Sequence, residues 1–278
     1  MAQAKEIEIY LIAGTQLRAP GVAFWLGDLG VYKKAEELGM TFDLPMEMSG
    51  AATLVGLAGK RCYNSFVPGL NANVTKTRRD WVEYLDNILH SGHGSVTEHS
   101  TYTFAFEGVS RVFTAELCRH RAGCAISEQS LRYVRFDENL SYWMPLLIQD
   151  APDDSEEVAD KKRRSRELFQ KAFDQDQENY LEFCRIWGVE TAKDFKEKKL
   201  ITSAARRIVG MGVCTGIVWT GNLRALRHVL EMRCSPHAEE EICYVFTQVA
   251  KMMIDAEPSL FGDFHLKDGY YVPVYRKV

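Results

Sequence analysis

The chain has 278 residues, 46% of them hydrophobic, and a formal charge of −4. Its seven cysteines (62, 118, 124, 184, 214, 234 and 243) form no CxxC pair. That length supports one large domain with a core of ordinary size, and no stretch is apolar enough to span a bilayer. Scattered cysteines in odd number argue against a disulfide scaffold or zinc ribbon and for reduced thiols in a cytoplasm. The near-neutral charge argues against a general nucleic-acid binder, and Met1-Ala2-Gln3-Ala4-Lys5-Glu6 lacks the apolar core of a signal peptide.

In chain order, Ile7, Ile9 and Leu11 alternate with Glu6, Glu8 and Tyr10, which predicts a strand. Residues 15–50, punctuated by Gly and Pro, support no assignment. Residues 51–64 predict a helix, and Asp80–Leu89 predicts an amphipathic one that stops at Ser91-Gly92-His93-Gly94. Ser95-Val96-Thr97-Glu98 has capping-box spacing. Tyr102, Phe104 and Phe106 predict a strand broken at Gly108, and Ser110 is expected to cap a helix running to about Arg121. A Ser-rich loop then leads to Ser130-Leu131-Arg132-Tyr133. Residues 150–200 are charged and helical. Their run Lys161-Lys162-Arg163-Arg164-Ser165-Arg166 reads as a solvated face neutralised by Glu156, Glu157, Asp160 and Glu167, in preference to a nucleic-acid patch. Ile217–Thr220 predicts a strand. Asn222 caps a helix through Arg233, and another helix runs from about Pro236 to Asp255.

Chemistry concentrates in three cationic segments. In a helix, consecutive side chains diverge by roughly 100°, so Arg119 and Arg121 are expected to point to different sides and to meet two anionic groups or two ends of one. Guanidinium forks suit phosphate oxygens through planar, charge-assisted bonds. The competing reading is a surface ion-pair cluster with Glu107, Glu116 or Glu128. Ser127-Glu128-Gln129-Ser130-Leu131-Arg132 adds short polar side chains and backbone N–H groups able to hold a phosphate or a uracil-like edge. Asn222, Arg224 and His228 sit near one helix start, where the dipole favours anions; Arg233 and Arg206-Arg207 add further charge. Jointly these segments point to nucleotide or dinucleotide binding. Cys118, Cys124 and Cys234 are each candidate thiolates, but a free cysteine is more often a small buried apolar residue. His90, His93 and His99 lack a third ligand with a supporting shell, so no metal is expected. No Gly-x-Gly-x-x-Gly and no Walker loop is present.

Gly92-His93-Gly94-Ser95-Val96-Thr97-Glu98-His99, Glu116-Leu117-Cys118-Arg119-His120-Arg121, Ser130-Leu131-Arg132-Tyr133 and Asn222-Leu223-Arg224-Ala225-Leu226-Arg227-His228 through Arg233 resemble the flavin-dependent thymidylate synthases in sequence, order and spacing. Leu57-Ala58-Gly59-Lys60-Arg61-Cys62-Tyr63 joins them, and the resemblance covers roughly residues 50–260. One departure stands out. Eight residues, Ala122 to Gln129, separate Arg121 from Ser130 where the family usually has seven.

The resemblance implies an α+β fold, a twisted antiparallel sheet packed by helices, in a single domain over residues 1–278 with 15–50 as an unmatched N-terminal elaboration. It implies a homotetramer with active sites between subunits. FAD would be held by His93, Ser95, Arg119, His120, Arg121, Glu128, Asn222, Arg224, His228 and His237. The pyrimidine nucleotide would meet Glu116, Arg119, Gln129, Ser130, Leu131, Arg132, Arg206 and Arg233. NADPH would reduce FAD, methylenetetrahydrofolate would supply the one-carbon unit, and no enzyme cysteine would attack the pyrimidine. Arg233 is expected to stabilise charge developing on the ring, and Ser130 to orient the nucleotide rather than act as nucleophile. Two rivals remain: a relative that methylates UMP rather than dUMP for secondary metabolism, and a non-catalytic nucleotide- or RNA-binding protein, disfavoured by the acidic charge and lack of a stacking motif. No nucleic-acid or membrane partner is expected, and the location expected is cytoplasmic.

Overall fold

Large apolar residues alternating with small polar ones build a sheet with one buried face and one open face. The computed structural model describes residues 1–136 and 140–278. In chain order its elements are β1 (Gln3–Ala4), β2 (Glu8–Gly14), α1 (Ala19–Asp28), α2 (Val31–Glu37), α3 (Gly50–Tyr63), α4 (Trp81–His90), α5 (Gly94–Thr97), β3 (Thr101–Ser110), α6 (Arg111–Leu117), β4 (Cys124–Glu128), β5 (Ser141–Tyr142), α7 (Glu156–Ile186), α8 (Phe195–Ala205), β6 (Cys214–Asn222), α9 (Leu223–Arg233), α10 (Glu240–Ala256), α11 (Pro258–Phe261), β7 (Phe264–Lys267) and β8 (Tyr270–Pro273).

The central sheet has four antiparallel strands in the order β2-β3-β6-β4. Phe104 pairs with Trp219 and Phe106 with Ile217, all buried in one core with residues of α3, α4, α6, α9 and α10. Burying each such side chain contributes roughly 1.5–3 kcal/mol. On the opposite face one row runs Tyr10, Ala105, Val218, Ser127 across all four strands, and Tyr10, Val218 and Ser127 are exposed. The fold is therefore α+β, as expected.

Gly108 does not end β3. It sits at φ +73°, the register shifts between Glu107 and Val109, and the strand continues to Ser110. A Cβ there would lie 2.3 Å from the Glu6 carbonyl oxygen, so glycine permits a bulge rather than a stop.

A second core gathers Leu131, Phe136, Tyr142, Phe173, Tyr180 and Ile201. Residues 15–50, unassigned from sequence, fold as α1 and α2 over a third core of Leu26, Val31, Leu57, Phe66 and Val67. Phe66 receives Trp25 and Phe42 edge-on at 5.7 and 5.9 Å. The basic run on α7 is neutralised: Lys161 pairs with Glu157, Lys162 with Asp154, Arg163 with Asp160 and Glu167, and Arg166 with Asp150. Among the described residues no helix is long and apolar enough to cross a membrane.

Two helix starts differ from expectation. α5 begins at Gly94 with His93 at its cap and no side-chain cap bond, because Glu98 reaches instead to Arg224. α10 begins at Glu240, not near Pro236, because the Glu239 carboxylate accepts from the N–H groups of Glu241 and Ile242.

Candidate active site

Ser110 starts α6 as expected: its Oγ accepts from the N–H groups of Val112 and Phe113 at 3.1 and 3.3 Å. The helix stops at Leu117, four residues before Arg121. Arg119 and His120 donate their backbone N–H groups to the carbonyls of Glu116 and Leu117 in a closing turn. Gly123, at φ +71°, then turns the chain into β4, which pairs with β6 from Cys124–Gly221 to Glu128–Ile217. A Cβ on Gly123 would strike the Asn222 side chain at 2.6 Å. The residues read as a Ser-rich loop are thus mostly an edge strand. A turn, rather than helical spacing, separates the Arg119-His120-Arg121 side chains.

That turn faces the last turn of α9. Arg233 donates from Nε to Nε2 of His120 at 2.8 Å, and from Nη1 to the Glu116 carboxylate at 2.9 Å. Its Nη2 reaches the Glu116 carbonyl at 3.4 Å. Glu116 also receives Arg119 at 3.4 Å. The Arg233 side chain is 13% exposed and that of Arg119 is 71% exposed. Accepting a bond at Nε2 requires a neutral imidazole. Burial, followed by the neighbouring Arg233 guanidinium, holds His120 down to about 4, so it is neutral near pH 7. One carboxylate thus serves two guanidinium groups beside an uncharged imidazole, and the local charge stays positive.

The His228 ring lies 6.3 Å from that of His120. His228 also lines a cleft of about 440 Å³ with Asn222, Arg224, Glu98 and Tyr275. Asn222 caps α9 by accepting from Ala225 N–H at 2.8 Å, and Arg224 pairs with Glu98 at 2.6 Å. Gly123 lines this cleft, and Gly94 packs closely against its Arg224: a Cβ on Gly94 would lie 2.9 Å from Arg224 Nε. A helix N-terminus, a guanidinium and a glycine-lined approach fit an anionic, dinucleotide-sized group such as FAD. His93 is half-buried, 6.1 Å from the Tyr63 ring. Ser95, Arg121 and His237 are exposed.

The remaining candidates form a second group. Arg111 pairs with Glu128 and reaches the Gln129 carbonyl at 3.4 Å. The Ser130 carbonyl accepts from Tyr133 and Val134, its Oγ accepts from Arg132 N–H, and the Arg132 carbonyl accepts from Thr202 on α8. Arg206 ends α8. The Leu131 side chain belongs to the second core, which leaves its main chain to meet a ligand. Among the described residues no hydrogen bond or ion pair joins this group to Arg233. Burial raises the thiols of Cys118 and Cys124 and pushes Cys234 up to about 12, which opposes thiolate formation at each.

Sequence reasoning missed three contributors. Glu98 lay inside a quoted motif without a role, Arg111 was hidden as an ordinary first-turn residue, and Tyr275 falls beyond the matched span. Only the first carried a readable signal, an acid within the quoted Gly92–His99 motif.

Comparisons with known proteins identify the family and the fold. The model of the Thy1 family, described as thymidylate synthase complementing protein, matches residues 43–259. A flavin-dependent thymidylate synthase of Mycobacteroides abscessus is 31% identical over 280 residues, covering 99% of this chain and 97% of that protein. One from Corynebacterium glutamicum is 29% identical, covering 96% and 93%. The crystal structure of a UMP/dUMP methylase, PolB, from Streptomyces cacaoi bound with 5-Br dUMP shares the fold at a TM-score of 0.58 and 18% identity, over 94% of this chain and 96% of that one. With a family model spanning most of its length and a relative matching nearly all of it, the chain belongs to the thymidylate synthase complementing protein family.

Proposed function

We propose that the protein carries out flavin-dependent reductive methylation of a uridylate at C5, converting dUMP to dTMP, with methylenetetrahydrofolate as one-carbon donor and NADPH as reductant. The observation that carries this reading is the Arg233–His120–Glu116 arrangement: a braced guanidinium with surplus positive charge, beside a cleft suited to FAD. Bound FAD supplies the redox chemistry, and the protein supplies orientation and charge. His93, Ser95, Arg119, His120, Arg121, Glu128, Asn222, Arg224, His228 and His237 hold the flavin. Glu116, Arg119, Gln129, Ser130, Leu131, Arg132, Arg206 and Arg233 hold the nucleotide. Within that set Arg233 stabilises negative charge on the pyrimidine ring and Ser130 orients the base. The split of the candidates into two unlinked groups supports a site completed by a second copy in a homotetramer. A cytoplasmic location accords with the scattered free thiols.

A UMP-methylating variant of this reading is supported by two observations. The likeness in fold is to a UMP/dUMP methylase, and most of the lengthened 122–129 segment is strand β4, which leads into the nucleotide group. An absorbance spectrum followed by a two-substrate assay tests both readings. Flavin bands with faster turnover of dUMP than of UMP are the expected result. A protein that takes up no FAD overturns the enzymatic reading, and preferred turnover of UMP replaces dUMP as substrate.

A further inference from the structure

Lys60 lies on α3 in a segment that neither site group uses. It is 2% exposed. Its Nζ donates to the Arg78 carbonyl at 2.8 Å and stands 4.4 Å above the Tyr84 ring and 5.2 Å from that of Trp81. A cation removed from water normally demands a counter-charge, yet its partners here are one carbonyl and two ring faces. Burial lowers its pKa to about 8, so it remains largely protonated at pH 7.

Lys60 borders a cavity of about 360 Å³ together with Lys76, Arg78, Tyr63 and His93. Among the described residues no Asp or Glu lines it, in a chain whose net charge is −4. Lys76 is exposed and has no ion-pair partner among the described residues. Among the described residues the Arg78 guanidinium pairs only with Glu83, at 3.3 Å on the surface, where such a contact holds the charge weakly. Three cations without a lining acid suit a dianion, and lysine ammonium groups on long stems grip phosphate as point charges. His93, one of the proposed flavin ligands, also lines it. A hydride donor must bring its ring to the flavin while its phosphate-bearing end lies elsewhere.

We propose that this cavity binds the ribose-linked phosphomonoester of the dinucleotide reductant through Lys60, Lys76 and Arg78. The proposal rests on the flavin-dependent reading, and its test separates the two. Calorimetric titration with 2′,5′-ADP, with and without FAD, is compared for the wild-type protein and Lys76→Gln. The substitution is expected to weaken 2′,5′-ADP binding about tenfold, the scale of one charge-assisted contact, and to leave 5′-AMP binding and FAD uptake unchanged. Lys60→Met, if it folds, shows the same pattern. In anaerobic flavin reduction the variant's Kd for NADPH rises by a similar factor while that for NADH stays put. Unchanged 2′,5′-ADP affinity in Lys76→Gln overturns the proposal. So does displacement of 2′,5′-ADP by FAD, which would give the cavity to the flavin, or a change confined to the KM for methylenetetrahydrofolate, which would give it to glutamyl carboxylates. A protein that takes up no flavin defeats the enzymatic reading, whereas the 2′,5′-ADP comparison still reports on the cavity.

Discussion

Arg227 and Arg233 stand on the same helix, both largely buried and both paired with a carboxylate, yet they do different work. The Arg227 side chain is 3% exposed and forms two parallel bonds to Asp263, at 2.7 and 2.8 Å. It also donates to the carbonyls of Leu260 and Tyr275 and lies 4.9 Å from the Phe264 ring. Its charge and its four terminal N–H donors are consumed in tying α9 to the last two strands, while the buried Nε finds no partner among the described residues. Arg233 has instead a neutral imidazole and a carboxylate shared with Arg119. A guanidinium neutralised by its own carboxylate is a brace; one held in place but under-neutralised still has a field to offer a ligand.

The sharpest way to break the contrast is Arg227→Ala. It strands Asp263, 8% exposed, without its cation, and removing one partner of a buried pair costs about 3–5 kcal/mol. Thermal unfolding should show a large drop, and Arg227→Met with Asp263→Leu should restore much of it. A single variant melting with the wild type would mean that Arg227 is no brace. Arg233→Ala should behave oppositely. Flavin uptake and the melt stay near wild type, while methyl transfer falls on the order of 100-fold or more, the typical cost of losing a preorganised donor. Near-wild-type turnover would sink the assignment of Arg233.

The sequence made Arg233 legible and Arg227 illegible as a type. Both lie in one quoted motif, but only tertiary contact shows that Asp263 and the chain beyond it close on Arg227. Local signals performed well at several caps and strands, though the capping-box spacing of Ser95–Glu98 formed no box because Glu98 turns to Arg224. The caps at Ser110 and Asn222 hold, as do the amphipathic helix near residues 80–90, the alternation in β3 and the neutralised face of α7. They failed where pairing decides. Gly108 reads as a breaker but is a bulge because Glu6 crosses it, and 122–129 reads as a loop but is a strand because β6 offers an edge. The third core could not be read either, since its residues are apolar without period and find order only against α3 and the Phe66–Val67 segment that follows it.

A finer probe of the same contrast is the proton on His120. An unfolded imidazole titrates near 6.5, whereas in the folded protein burial and then Arg233 hold this one to about 4. Between those values the unfolded chain binds more protons than the native one, so this histidine makes stability rise with pH across the window. Its contribution is complete above about pH 6.5 and is lost as pH falls toward 4. An NMR titration of the native protein should place its midpoint well below 6.5. Arg233→Gln removes the cation but leaves the burial, so the midpoint should rise only part of the way back. A native His120 titrating near 6.5 would show that Nε2 is not reserved for the guanidinium. A midpoint unmoved in Arg233→Gln would show that burial alone sets it. Either result would leave Arg233 less firmly held than its bonds imply, and would narrow its difference from the other cations of the site.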